Sequence, residues 1–185
     1  MKKIKCSYLD ILNINASLVN LPNAGSIKLK HKVLSISRVI KPIIEDLNKL
    51  VEATDELKAY QEKTREVYKT HCETANGELV FYKDDSYTEK ESKPGARATV
   101  KFLNDDSKTS IEAAILALDE ENAELLAARK QVELDYQKHL EDETEIEFNP
   151  ISIDELETVQ TPDADGIIVN LPYSIINGLH LVLQD

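Results

Sequence analysis

The chain has 185 residues, 42% hydrophobic and 30% charged, with a net charge of −12 and a pI near 4.8. That length permits one domain with a real core, and so low a pI argues against general nucleic-acid binding, where phosphate neutralisation supplies most of the affinity. No apolar run approaches the roughly 20 residues that span a bilayer, and the start, MKKIKCSYLD, lacks the apolar stretch of a secretory signal, so a non-secreted protein with no membrane span is expected.

Taken in chain order, Ser7 and Asp10 have the S-x-x-D spacing of a capping box, and Leu9, Leu12, Ala16 and Val19 follow at helical spacing. Pro22 and Gly25 end this first helix. Residues 31–72 carry the strongest pattern. Val33, Ile36, Ile40, Ile43, Leu47, Leu50, Thr54, Leu57, Gln61, Thr64 and Tyr68 step by three and four, the seam of a long amphipathic helix. Pro42 removes a hydrogen bond and crowds the preceding turn, so a kink or break is expected around residues 38–42. Residues 107–142 repeat the pattern through Ile111, Ile115, Leu118, Asn122, Leu125, Arg129, Val132 and Tyr136, with Ser107 or Thr109 as the cap.

Two such helices with a linker predict an antiparallel hairpin. The linker, 73–106, contains two β-like runs, GELVFYKDD and ARATVKFLNDD, with KPG at 93–95 between them, which predicts a small β-hairpin at the tip. After residue 143 the order reads strand (145–148), turn at Asn149-Pro150, a capped helical turn over 152–159, a strand in GIIVN and a short terminal helix. The strand alternates Ile146 and Phe148 with Glu145 and Glu147, the period of a half-buried strand with one wet acidic face. The expected fold is therefore mainly α (α+β). It is a single elongated domain, 1–185, divided into an N-terminal helix and turn (1–30), a helical hairpin (31–142) with its tip insertion, and an acidic C-terminal segment (143–185).

The charge is uneven along this plan. Residues 139–185 carry 11 acids and no Lys or Arg, while residues 1–41 carry Lys2, Lys3, Lys5, Lys28, Lys30, Lys32, Arg38 and Lys41 against Asp10 alone. Either the two ends lie together in one subunit, or the acidic end of one copy meets the basic end of another.

Reactive-site motifs are missing. There is no phosphate-binding glycine loop and no G-x-S-x-G. Cys6 and Cys72 lie outside any C-x-x-C and read as reduced structural thiols. His31, His71, His139 and His180 lack metal-ligand spacing, and the adjacent His71-Cys72 would diverge on a helix. His139, on the second helix, is expected to pack structurally, with a position facing His71 or Tyr68 near the hairpin as the alternative. PDADG, 162–166, fails the calcium-loop pattern: counting from Asp163, Gly166 falls at position 4 and Ser174 at position 12, where the loop needs Gly at position 6 and a bidentate Glu at position 12. It reads as a turn. No catalytic residue, metal or cofactor is expected.

The segments LKAYQEKTREVYKTH, NGELVFY and TEIEFNPISIDEL, in this order over residues 30–185, resemble a family of small phage and prophage proteins of uncharacterised function. The pieces that carry the resemblance are Leu57–Tyr68 and Glu145–Leu156. The chain departs from the family's outline by the insertion KDDSYTEKESKPGARATVKFL and by TPDADGIIVN. The resemblance implies a viral origin, in a host cytoplasm or virion, and a helical-hairpin fold. It brings no catalytic residues.

The expected function is a non-enzymatic structural or assembly protein acting through protein–protein contacts, as a homo-oligomer. The seam residues Ile36, Ile40, Ile43, Leu47, Leu50 and Leu57 would continue across a subunit interface. The basic patch Lys28, Lys30, Lys32 and Arg38 and the acidic surface Glu145, Glu147, Asp154, Glu155 and Glu157 would be charged contacts. Two alternatives stand beside this. One is an inhibitor of a host defence enzyme that offers its acidic segment to a basic cleft. The other is a small-ligand sponge with a pocket at an oligomer interface.

Overall fold

A computed structural model describes residues 1–21, 25–91, 98–157, 159–162 and 168–184. Pro22, the KPG of 93–95 and Asp163–Gly166, which carried the expected helix stop and two turns, lie outside the described residues. The described elements are β1 (Lys2–Ser7), α1 (Tyr8–Asn20), α2 (Ile27–Leu50) and α3 (Asp55–His71). Next come β2 (Thr74–Ala75), β3 (Glu78–Leu79), β4 (Phe81–Tyr82), β5 (Lys90–Glu91) and β6 (Thr99–Val100). They are followed by α4 (Ser107–Glu121), α5 (Ala123–His139), β7 (Glu143–Phe148), α6 (Ile153–Glu157), β8 (Gln160–Pro162), β9 (Ile168–Asn170) and α7 (Tyr173–Gly178), with a 3₁₀ turn at His180–Val182. The protein is mainly α with small antiparallel sheets. Its contacts divide it into two compact units, Met1–Glu52 with Val132–Asp185, and Ala53–Gln131.

In the first unit the expected capping box forms. The Asp10 main-chain N–H donates to Ser7 Oγ at 3.1 Å, and the Ser7 N–H donates to Asp10 Oδ2 at 3.0 Å. The core gathers Ile11, Ile14 and Leu18 of α1, Leu29, Ile36 and Ile40 of α2, and Ile146 and Phe148 of β7. Ile151, Val159, Leu171, Leu179 and Val182 complete it from the C-terminal segment. A main-chain link from Ile151 N–H to the Val182 carbonyl, 2.9 Å, and from Gln184 N–H to the Ile151 carbonyl, 2.8 Å, ties the last residues to the stretch after β7.

The break expected at Pro42 does not occur there, because α2 runs unbroken from Ile27 to Leu50 with Pro42 inside it. Ile36 and Ile40 before the proline and Leu47 after it are all buried on one face. That burial outweighs a local cost of about 3 kcal/mol for an interior proline. The ring of Pro42 is on an exposed position, where it displaces no core packing. Pro42→Ala restores a helical N–H without touching the core and should stabilise the protein by roughly 1–3 kcal/mol; urea unfolding followed by circular dichroism measures it. The expected 31–72 helix instead stops at Val51, and α3 restarts from the Thr54 cap, whose hydroxyl accepts from Leu57 N–H at 3.2 Å. This is where the seam turns polar. The second long helix is likewise divided, at Asn122, whose side-chain amide donates to the Leu118 carbonyl at 2.8 Å.

In the second unit α3 packs against α4. Tyr60 Oη donates to Asp119 Oδ1 at 2.6 Å, and Lys63 reaches Glu121 at 3.6 Å. Between these helices, β2 and β3 form a tight hairpin around Asn76 and Gly77, both at positive φ, the pairing a two-residue hairpin turn requires. β4 is the centre of a separate three-stranded sheet between β5 and β6. The single tip hairpin expected from the sequence is thus two small sheets. Ser107 does not cap α4 through its first turn as expected; it is buried and bonds back to Asn104, accepting from its N–H at 3.2 Å and donating to its side-chain oxygen at 3.0 Å.

Candidate functional site

Strands β1 and β7 pair antiparallel with Ile4 opposite Ile146. Period-two geometry then sends Ile4, Cys6, Ile146 and Phe148 to one face and Lys3, Lys5, Glu143, Glu145 and Glu147 to the other. Cys6, Ile146 and Phe148 are buried, and Ile4 packs against them. On the wet face Lys3 Nζ donates to Glu145 Oε1 at 3.1 Å, and Lys5 pairs with Glu143. The same carboxylates hold both lysines above their ordinary pKa, first through the hydrogen bond and then through charge. The acidic and basic ends of the sequence therefore meet within one chain.

Glu155 is the most enclosed of these acids. Ser152 and Glu155 form a second capping box, with the Ser152 N–H donating to Glu155 Oε2 at 2.9 Å and the Glu155 N–H donating to Ser152 Oγ at 3.3 Å. Lys32 Nζ lies 2.7 Å from Oε2 and Lys28 Nζ 3.3 Å from Oε1, and the Glu155 side chain is only 11% exposed. Burial pushes its carboxyl up, but the hydrogen bonds from Lys32, the Ser152 N–H and Lys28 outweigh that and bring it down to about 2.

The other sequence-singled residues fall into separate places. Ile36, Ile40 and Leu47 are covered by their own chain in the first unit, with Ile43 partly buried beside them, and Leu57 is buried in the second. As a correction to the seam, these side chains are interior rather than free for a neighbouring subunit. Leu50 alone among the six is outward, at 51% exposure. Glu147, Asp154 and Glu157 are exposed, as are Lys30 and Arg38. His139 stacks on Tyr8, with ring centroids 4.7 Å apart, and pairs with Asp142 at 2.7 Å.

Two surface features remain, the first built from seam residues and the second not singled out in the sequence. One is an apolar face in the first unit. A groove of about 330 Å³ is lined by Leu50, Val132, Asp135, Tyr136 and His139. A second, of about 250 Å³, shares Leu50 and His139 and adds Tyr8, Ile43, Asp46 and Leu47. Val132 is 40% exposed. The other feature is a polar cleft of about 410 Å³ where α1 crosses α7, lined by Asn13, Ser17, Asn20, Ser174 and Asn177 among others. The crossing is close because residue 178 is glycine. A Cβ there would collide with the Ser17 hydroxyl and lie 3.2 Å from the Asn13 carbonyl oxygen.

In the second unit, Glu73 accepts from Tyr82 Oη at 2.9 Å and lies 3.6 Å from Lys90 and 3.9 Å from Lys101. The Tyr82 hydrogen bond, opposed by burial and aided by the two lysines, lowers its pKa. The cluster ties the small sheet to the end of α3. Among the described residues no three His, Cys, Asp or Glu side chains converge as metal ligands, and no helix is long and apolar enough to cross a membrane. No protein-family model, curated protein or solved structure matches the chain.

Proposed function

We propose that this chain is a phage-encoded, non-enzymatic assembly or structural protein that works through protein–protein contacts and associates with further copies of itself. The observation that supports this is the apolar face of Leu50 and Val132 around the two grooves that share Leu50 and His139. Contiguous exposed apolar surface costs solubility unless something covers it. The inhibitor reading receives less support, because Glu143, Glu145 and Glu155 already have lysine partners in the same chain. A carboxylate that is already paired offers a basic cleft little.

Light scattering over a range of protein concentration tests the proposal. The expected result is a dimer or larger species, and Leu50→Glu with Val132→Glu should weaken association about tenfold or more while the helical circular dichroism is kept. A salt-insensitive monomer at every concentration, together with absence of the chain from purified particles by mass spectrometry, overturns it.

A further inference from the structure

We infer that the outward stripe of α4 and α5 is a docking surface for a second copy of the chain, the two helices lying antiparallel about a two-fold axis. The inference rests on the self-association proposed above and adds a second face to it. Not one of the 17 residues of α5 is buried. A helix of that length is marginal in water unless an apolar face is covered. Its seam side is half-buried at Leu125, Arg129 and Tyr136, so the uncovered side is the opposite one. There Leu116, Glu120, Ala123, Ala127, Lys130 and Leu134 step by four and three in alternation, the spacing of one helical stripe. All six are exposed, Leu116 at 61% and Leu134 at 49%. Four-residue hydrogen bonding continues through the division at Asn122. Its N–H donates to the Leu118 carbonyl at 3.1 Å, and its carbonyl accepts from Leu126 N–H at 3.0 Å, so the stripe passes from α4 to α5.

The order of residues along the stripe selects the partner. Read forward it is Leu, Glu, Ala, Ala, Lys, Leu; read backward it is Leu, Lys, Ala, Ala, Glu, Leu. An antiparallel copy therefore sets Leu116 against Leu134, Glu120 against Lys130 and Ala123 against Ala127. Each contact is made twice, as two-fold symmetry requires. Further out, Glu112 meets Lys138 in the same register. A parallel copy would set Glu120 on Glu120 and Lys130 on Lys130, and like charges disfavour that pairing. The alanines at the centre carry little bulk, so the helix axes can approach closely.

Glu120 and Lys130 have no ion-pair partner among the described residues of their own chain. Ten positions separate them, about 15 Å along the helix, too far for either to satisfy the other. The stripe shares no residue with the grooves around Leu50 and Val132. Two self-complementary faces on one chain carry association past a dimer.

The test uses the full chain carrying Leu50→Glu and Val132→Glu, which removes the groove face and keeps the stripe. Sedimentation equilibrium should still show a dimer. Adding either Glu120→Lys or Lys130→Glu puts like charges at two contacts and should weaken dimerisation about tenfold or more, with the helical circular dichroism kept. An equimolar mixture of those two charge variants, or one chain carrying both changes, should restore it to within about threefold, because opposite charges face each other again. Such rescue has no source within one chain, given the distance between the two positions. As a second measurement, Leu116→Cys and Leu134→Cys chains mixed and mildly oxidised should form a disulfide-linked pair that neither forms alone. A monomer on this background, dimerisation indifferent to the charge changes, absence of rescue, or equal cross-linking of each cysteine chain with itself overturns the inference and leaves the groove reading standing. A parent chain that is monomeric at every concentration overturns both.

Discussion

Glu155→Ala should lower the unfolding free energy by about 2–4 kcal/mol, a large loss for one surface-proximal acid. The change removes a carboxylate that caps α6 and leaves Lys32, itself mostly enclosed, without its 2.7 Å partner. Lys28 is well exposed and adds little. The same residue predicts a pH dependence. Its carboxyl ordinarily titrates near 4.5 and titrates at about 2 in the fold. A depressed folded-state pKa means that the unfolded chain binds the proton first as acid is added. The stabilisation is therefore fully present above about pH 4.5 and is lost as the pH falls toward about 2, on the order of 2–3 kcal/mol in all. Urea titrations of the parent chain and of Glu155→Ala between pH 7 and pH 2.5 check it. The two stabilities should converge toward the acid end, and a constant gap across the range would refute the assignment.

Phe148→Ala should cost still more, about 3–5 kcal/mol, because the ring is among the largest fully buried side chains of the molecule. Its neighbour Glu147 is exposed on the opposite face of β7, and Glu147→Ala should stay within about 0.5 kcal/mol. The contrast between adjacent positions is the energetic form of the strand's alternation. Equal effects at 147 and 148, measured by thermal unfolding, would mean that β7 does not lie with one face on the core.

That strand was legible because its acids and apolar residues alternate cleanly, and its partner was legible only as a charge. The run Lys2-Lys3-Ile4-Lys5-Cys6 has the same period, but lysine at both kinds of position blurs it. Lys2 is on the core side and escapes burial of its ammonium by reaching the Leu183 carbonyl at 3.0 Å. The capping boxes at Ser7 and Ser152 were readable because their geometry is local. The continuity of α2 through Pro42 was not, since the burial that overrides the proline comes from segments distant in sequence. Asn76-Gly77 carried a turn signal within a linker whose two runs were read as one hairpin. The polar cleft had no local signature, whereas the apolar face did, since Leu50, Val132 and Tyr136 all stood on the two helical seams and only their meeting was hidden. Each is made by residues that only the fold brings together, such as Ser17 with Gly178 and Leu50 with Val132.

The pairing of Lys2–Ser7 with Glu143–Phe148 also sets an order of events during synthesis. The first strand leaves the ribosome long before its partner exists, and the whole of Ala53–Gln131 is translated in between. The second unit has its full sequence available while the first still lacks more than half of its buried core residues. Completion of the first unit waits on a contact between residues some 142 positions apart, the kind of distant closure that slows folding. Until then Ile4, Ile11, Ile36 and Ile40 have no sheet to cover them, and the nascent chain carries its greatest aggregation hazard in that interval.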